Sequence, residues 1–261
     1  MQTITYYQIN AFAEGIGKGN PAGVCPLNEW IDDSIMQSIA KENNLSETAF
    51  YVKKDEIFEI RYFTPTTEVD LCAHATLAAA YAEFNIHDNP QSQLTFLAKA
   101  GKLRINQDDG IINMNFPMEV LKHTTITPQM NTLFNEKPIA AFKSNDDLIL
   151  KFKDENSIQN LNPDLNAIKK VPARGVSVTA KGNKADFVSR FFGPQSGIDE
   201  DPVTGSIHTY LAPLWSEILG KNTLTAQQLS KRGGKLYCKV QKERVFISGK
   251  ASLYQKGVIY F

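Results

Sequence analysis

Two stretches of this 261-residue chain are near copies of one another, and that constrains the fold more than anything else in it. Arg61-Tyr62-Phe63-Thr64-Pro65 recurs as Arg190-Phe191-Phe192-Gly193-Pro194, an offset of 129 residues from 61 to 190. Upstream, Ser46-Glu47-Thr48-Ala49 recurs as Ser177-Val178-Thr179-Ala180, offset by 131 from 46 to 177. Downstream, each copy makes a short turn into a helical stretch, at Cys72-Ala73-His74-Ala75-Thr76-Leu77 and at Asp201-Pro202-Val203-Thr204-Gly205-Ser206. An offset close to half the length implies two related lobes, with a ligand cleft expected between them. On this alignment Glu47 stands against Val178. One copy carries a carboxylate where the other is apolar, as a one-base proton-transfer enzyme requires.

Between the repeats the pattern is strand-rich. Thr5 to Ile9, Ala49 to Lys53, Phe58 to Phe63, Leu94 to Leu97, Lys102 to Asn106 and Ile111 to Asn115 are short, β-rich and bounded by turn residues. Asp109-Gly110 between two such runs is a hairpin signal. The second half repeats the style at Ile139 to Phe142, Leu148 to Phe152, Val176 to Ala180, Phe187 to Phe192, Lys235 to Val240 and Arg244 to Ser248. Two stretches, Ala73 to Phe84 and Ser206 to Leu219, are small or apolar nearly all round, the signature of a helix buried on every side. Amphipathic helices are expected outside at Asp32 to Asn43, where Asp32 and Asp33 can cap free N–H groups, and at Thr225 to Leu229. The expected class is therefore α+β, each lobe a mixed sheet curled around a central helix. The β pattern lapses from Pro117 to Pro138, which places the lobes at residues 1–117 and 118–249.

Composition excludes more than it assigns. Lys+Arg and Asp+Glu each number 28, so no net field recruits nucleic acid or a membrane. Cys25, Cys72 and Cys238 are odd in number and scattered, against a disulfide framework or zinc cluster and in keeping with a reducing, cytoplasmic setting. No basic-then-apolar leader is seen at the N-terminus, and no apolar run reaches the roughly 18 residues of a membrane span. Gly15-Ile16-Gly17-Lys18-Gly19-Asn20 has Asn20 where a third glycine belongs and is followed by a strand-like run, so it is not a nucleotide loop. Cys72 and His74 lack the second pair that a metal site needs. No metal and no organic cofactor is expected.

Chemistry concentrates where the repeats feed their helices. Both places put small residues at a helix N-terminus, where leading N–H groups and the helix dipole favour a carboxylate or phosphate. In the second copy Thr204, Gly205 and Ser206 add two hydroxyls and a flexible glycine. Glu47 is followed by apolar residues, and a carboxyl in such surroundings has a raised pKa, able to take and return a proton near neutral pH. His74 sits in the first turn of an apolar helix, and Asp201 comes just before the anion-site candidate as a partner for an amine or for His74. His87, His123 and His208 read as structural.

These residues resemble a known family. Gly19-Asn20-Pro21-Ala22-Gly23-Val24, Ser46-Glu47-Thr48-Ala49-Phe50, Arg61 to Pro65, Glu68 to Thr76, Glu200 to Ser206 and Arg232-Gly233-Gly234 are similar to the PhzF-like family, the phenazine-biosynthesis isomerases and their relatives, in the family's order. The resemblance implies the diaminopimelate epimerase type of fold, two pseudo-symmetric lobes, often in a homodimer. It also implies that the last strand, within 250–261, completes the N-terminal lobe. The family's acid/base glutamate falls on Glu47, its histidine on His74 and its aspartate on Asp201. Its backbone anion sites fall on Ala73 and on Gly205 with Ser206; Asn20, Ser46, Ala75 and Thr204 are the further substrate-binding expectations. The family usually has glycine where this chain has Ala73, a methyl that would be strained at positive φ. Epimerases of this fold use one cysteine from each lobe; the alignment sets Cys72 against Pro202, which cannot carry a proton. The implied activity is a cofactor-independent isomerase acting on a small carboxylate through Glu47. An epimerase or racemase with a different second base, and a non-catalytic binding protein, stand beside it as alternatives.

Overall fold

The computed structural model describes residues 1–261 and falls into two compact units, Met1–Asn115 with Ser248–Phe261, and Phe116–Ile247. The first unit contains strands β1 (Thr3–Ala11), β2 (Asn20–Leu27), β3 (Glu47–Lys54), β4 (Ile57–Phe63), β5 (Glu68–Val69), β6 (Gln93–Ala98), β7 (Gly101–Asp108) and β8 (Ile111–Pro117), the last running just past the unit's edge. Helix α1 (Asp33–Asn43) follows β2 and helix α2 (Ala73–Asn85) follows β5. The chain's final strand, Ala251–Tyr260, pairs antiparallel with β1. From β1 the sheet continues antiparallel to β2, parallel to β3, antiparallel to β4, parallel to β6, then antiparallel through β7 to β8. The β7–β8 turn is made by Asp109 and Gly110, with φ of 47° and 70°, the left-handed pair a tight hairpin needs.

Helix α2 is inside this sheet. It packs on β1, β2, β3 and the final strand, and Ala75, Leu77, Ala78, Ala79, Ala80 and Ala82 are all fully buried. Alanine serves because strands can close on a helix at short distance only where side chains are small; larger ones would force off-rotamer packing. On the other sheet face α1 covers Tyr6, Cys25, Phe50 and Phe63 with Met36, Ile39 and Ala40. Asp32 occupies the N-cap position of α1 but makes no side-chain capping bond, contrary to expectation, and Asp33 instead pairs with Arg61 at 2.7 Å.

The second unit repeats this plan with β9 (Lys122–Thr124), β10 (Ala140–Lys143), β11 (Asp147–Lys151), α3 (Glu155–Asn160), α4 (Leu165–Ile168), β12 (Gly175–Lys181), β13 (Phe187–Phe192), α5 (His208–Leu219), β14 (Thr223–Gln228), β15 (Gly234–Gln241) and β16 (Arg244–Gly249), which ends beyond the unit's edge. Pairing runs antiparallel from β9 to β10 and β11, parallel to β12, antiparallel to β13, parallel to β14 and antiparallel to β15. The order of parallel and antiparallel neighbours matches the first unit strand for strand. Helix α5 packs on β14 and β15, with Trp215 Nε1 donating to Thr179 Oγ1 at 2.9 Å. One expectation fails: Thr225 to Leu229 is not a helix. Leu224, Ala226 and Gln228 alternate inward between β13 and β15, the period of a strand. No helix is long and apolar enough to cross a membrane.

Candidate active site

Each unit builds a polar cluster where a strand start meets the first turn of its central helix. In the first unit Glu47 opens β3, beside Ala22 of β2, and His74 is the second residue of α2. Glu47 Oε2 lies 3.3 Å from His74 Nε2, and the two side chains are 15% and 5% exposed. The other ring nitrogen, Nδ1, lies 3.4 Å from Asn20 Nδ2 and 3.3 Å from Cys72 Sγ. An amide NH₂ only donates, so towards Asn20 the ring nitrogen Nδ1 is the acceptor. Asn20 is held at the start of β2 by Gly19, whose φ is +70° and whose place admits no side chain: a Cβ would meet Ala11 O at 2.3 Å.

The helix start is fixed by a chain of hydroxyls. Thr76 Oγ1 bonds to the Cys72 carbonyl at 2.7 Å and to Tyr62 OH at 2.5 Å. The N–H groups of Ala73, His74 and Ala75 lead the helix, ahead of the Thr76 N–H that bonds Cys72 O. Ser46 comes just before the strand and is half-buried. Glu47, Cys72 and His74 also place ligand-type atoms within 4.8 Å of one another, although the spacing of Cys72 and His74 had argued against a metal. The contacts run to opposite nitrogens of one imidazole, Cys72 to Nδ1 and Glu47 to Nε2.

In the second unit Asp201, buried, accepts from Thr204 Oγ1 at 2.5 Å. Gln228, at the end of β14 and fully buried, grips this turn from behind. Its Nε2 donates to Asp201 O at 2.8 Å and Thr204 Oγ1 at 3.1 Å, and its Oε1 accepts from Thr204 N at 2.9 Å. Gly205 and Ser206 then lead into α5. Arg174, immediately before β12, places Nη1 and Nη2 at 3.3 and 3.4 Å from Ser206 Oγ. Burial works against the Arg174 charge, but the hydrogen bond and charge of Asp147 outweigh it and raise its pKa. Neither Gln228 nor Arg174 was among the residues expected from sequence. Gln228 lies 24 residues from Thr204 and gives no local signal; Arg174 shows only as a cation at a strand start. His208 is buried, its Nδ1 on Thr204 O at 3.0 Å, and burial lowers its pKa to about 4. Of the other histidines, His87 is bound to Glu83 and His123 lies edge-on to Phe142.

The ladders correct the alignment of the two copies. Arg61 lies opposite Phe50, and Arg190 opposite Val178. Both arginines fork onto a glutamate: Arg61 Nε and Nη2 on Glu68 at 2.7 and 2.9 Å, Arg190 on Glu200 at 2.7 and 3.0 Å. Phe50 therefore corresponds to Val178, and three residues back Glu47 corresponds to Gly175, not to Val178. In the helices, Thr76 Oγ1 bonds Cys72 O as His208 Nδ1 bonds Thr204 O. Cys72 thus corresponds to Thr204 rather than Pro202, and His74 to Ser206. The second copy still has no thiol in the paired place.

Comparison with known proteins accords with this architecture. Residues 9–257 match the family model described as phenazine biosynthesis-like protein. An uncharacterized isomerase of Pseudomonas aeruginosa is 44% identical over 98% of both chains. The chain belongs to the phenazine biosynthesis-like family. A crystal structure of a PhzF-family protein from Enterococcus faecalis shares 42% identity and a TM-score of 0.97, each chain covered completely. A hydroxyproline epimerase from Agrobacterium vitis, at 7% identity and a TM-score of 0.65 over 98% of this chain and 92% of its own, shares the fold alone. The fold is thus the α+β epimerase type shared by the PhzF family. Ala73, where the resemblance implied a glycine, sits without strain: it is the first residue of α2 and is not among the residues with positive φ.

Proposed function

We propose that this protein is a cofactor-independent isomerase that moves a proton on a small carboxylate, with Glu47 as the acid/base. The observation that carries the reading is the Glu47–His74 pair, 3.3 Å apart at the start of the buried helix. An ionised Glu47 beside His74 is poised to take a proton from an activated carbon. The same carboxyl can return it to another carbon on the same face, without a metal or a second base. Between the two transfers Glu47 is the neutral acid; His74 stabilises its carboxylate form before the first transfer and after the second. Asp201 and Ser206 hold polar groups of the substrate, and the leading N–H groups of the helices bind its carboxylate. Relatives named as isomerases support the class of reaction. A cytoplasmic homodimer belongs to the same reading, and light scattering of the purified chain tests the dimer.

The substrate is found first. Small carboxylates are screened for a rise in melting temperature, since a ligand of the native state stabilises it by mass action. Turnover of each hit by wild type and Glu47→Gln then tests the assignment. Wild-type turnover that disappears in the variant supports it, and equal turnover in both sinks it.

A further inference from the structure

We propose that Arg174 joins Ser206, already the anion-site residue of the family resemblance, in holding the carboxylate of the substrate, as the charge-reversed counterpart of the Glu47–His74 pair; this rests on the isomerase reading above. In the first unit a side chain at the start of β3 reaches the second residue of α2. The equivalent position in the second unit is Ser206, just ahead of α5, and the side chain that reaches it is Arg174. It comes from one residue earlier because the strand-start position itself is closed: a Cβ on Gly175 would fall 2.3 Å from Phe191 Cζ and 2.8 Å from Phe192 O. The repeat has kept the pair and exchanged an acid for a base.

The guanidinium is held on three sides. Nε and Nη2 donate to Asp147 Oδ1 and Oδ2 at 3.0 and 2.5 Å, and Tyr210 OH donates to the same Oδ2 at 2.9 Å. The Phe191 ring lies against it, 5.2 Å from the guanidinium carbon to the ring centre. Asp147 is 1% exposed, but the Arg174 side chain keeps 43% exposure. A guanidinium has five N–H donors and no acceptor, so Ser206 Oγ accepts and its own hydrogen is left to donate. With two N–H groups on Asp147 and two shared with Ser206, one N–H of Nη1 remains. That N–H and the serine O–H are neighbouring donors, which suit the two oxygens of one carboxylate.

The test uses the full chain and isothermal titration with benzoate, malonate and inorganic phosphate. Arg174→Lys leaves Asp147 a cation, and Ser206→Ala leaves the Arg174–Asp147 pair intact, so neither variant needs the fold to survive an orphaned buried charge. The expected result is carboxylate binding by wild type, weakened about 10- to 100-fold in each variant, with phosphate the poorer ligand. Wild-type affinity in both variants, no carboxylate binding by wild type, or phosphate preferred over both carboxylates would overturn the proposal. Loss of turnover in Glu47→Gln is a separate readout. If it holds while the titrations fail, the isomerase reading stands and the role of Arg174 does not.

Discussion

Glu47 and Gly175 begin equivalent strands, each opposite the same arginine-bearing neighbour and each facing the start of a buried helix, yet one position offers a carboxylate and the other cannot hold a methyl. Beside them, Cys72 has become Thr204, His74 has become Ser206, and Ser46 has become Arg174. Everything that can move a proton at these positions is in the first unit; the second offers a fixed cation, hydroxyls and leading N–H groups. What both units retain is scaffolding: the forked Arg–Glu pair, the aromatic ring beneath each arginine, and the side chain that bonds the carbonyl four residues back. Under the proposed function, this duplicated architecture with unequal chemistry divides the labour, with acid/base work in one copy and added anion recognition in the other.

That contrast can be broken by substitution. The largest effect is expected for Glu47→Gln, which keeps shape and hydrogen bonding but takes up no proton. Steady-state assays should find turnover down by about 10²- to 10⁴-fold, with ligand affinity retained. Next is acid sensitivity in the second unit. His208 has a folded pKa of about 4 against an ordinary 6.5, so the unfolded state binds its proton first as pH falls. Its contribution is fully present above about pH 6.5 and lost progressively towards pH 4, up to about 3 kcal/mol. Melting temperatures across this range should fall less steeply in His208→Gln, whatever the variant's starting stability. Unchanged steepness would remove His208 from the account.

Smaller effects sharpen the comparison further. Gly175→Ala should destabilise by about 1–3 kcal/mol, because its methyl must displace Phe191 and the strand behind it. Glu47→Ala at the equivalent place should change the melting temperature less. Urea titrations of both variants decide it, and equal losses would mean that the two strand starts are not packed as differently as described. Cys72→Ala should have the smallest effect, a modest loss of stability and a change in turnover well short of the roughly 10²-fold that loss of an acid or base entails. A larger fall would give the thiol a part in the chemistry.

Much of the fold was legible in the residues: the repeat, the buried helices and most strands. The register between copies was not. Ser46-x-Thr48-Ala49 and Ser177-x-Thr179-Ala180 match in letters, but which residues correspond is set by the ladder opposite Arg61 and Arg190, and the letters slip by three. Further along, Arg61 to Glu68 spans seven residues and Arg190 to Glu200 spans ten, the difference being a short turn at Pro194–Ser196. That insertion drew Pro202 falsely against Cys72. Thr225 to Leu229 misled because a short run gives too few residues to tell a period of 2 from one of 3.6. Arg174 and Gln228 were missed because their partners are remote in sequence, and no local spacing announces a contact made by the fold.

The most direct test of a single shuttling base is isotopic. A carboxylate found by the stabilisation screen is deuterated at the carbon that loses its proton and turned over in ordinary water, and product from the first turnovers is examined by mass spectrometry. One carboxyl that removes and returns the same hydrogen predicts that part of the deuterium reappears at the new carbon of the product, and that this transfer vanishes with turnover in Glu47→Gln. Product free of deuterium from the first turnover, with Glu47→Gln as fast as wild type, would contradict the account and return Glu47 to a structural role.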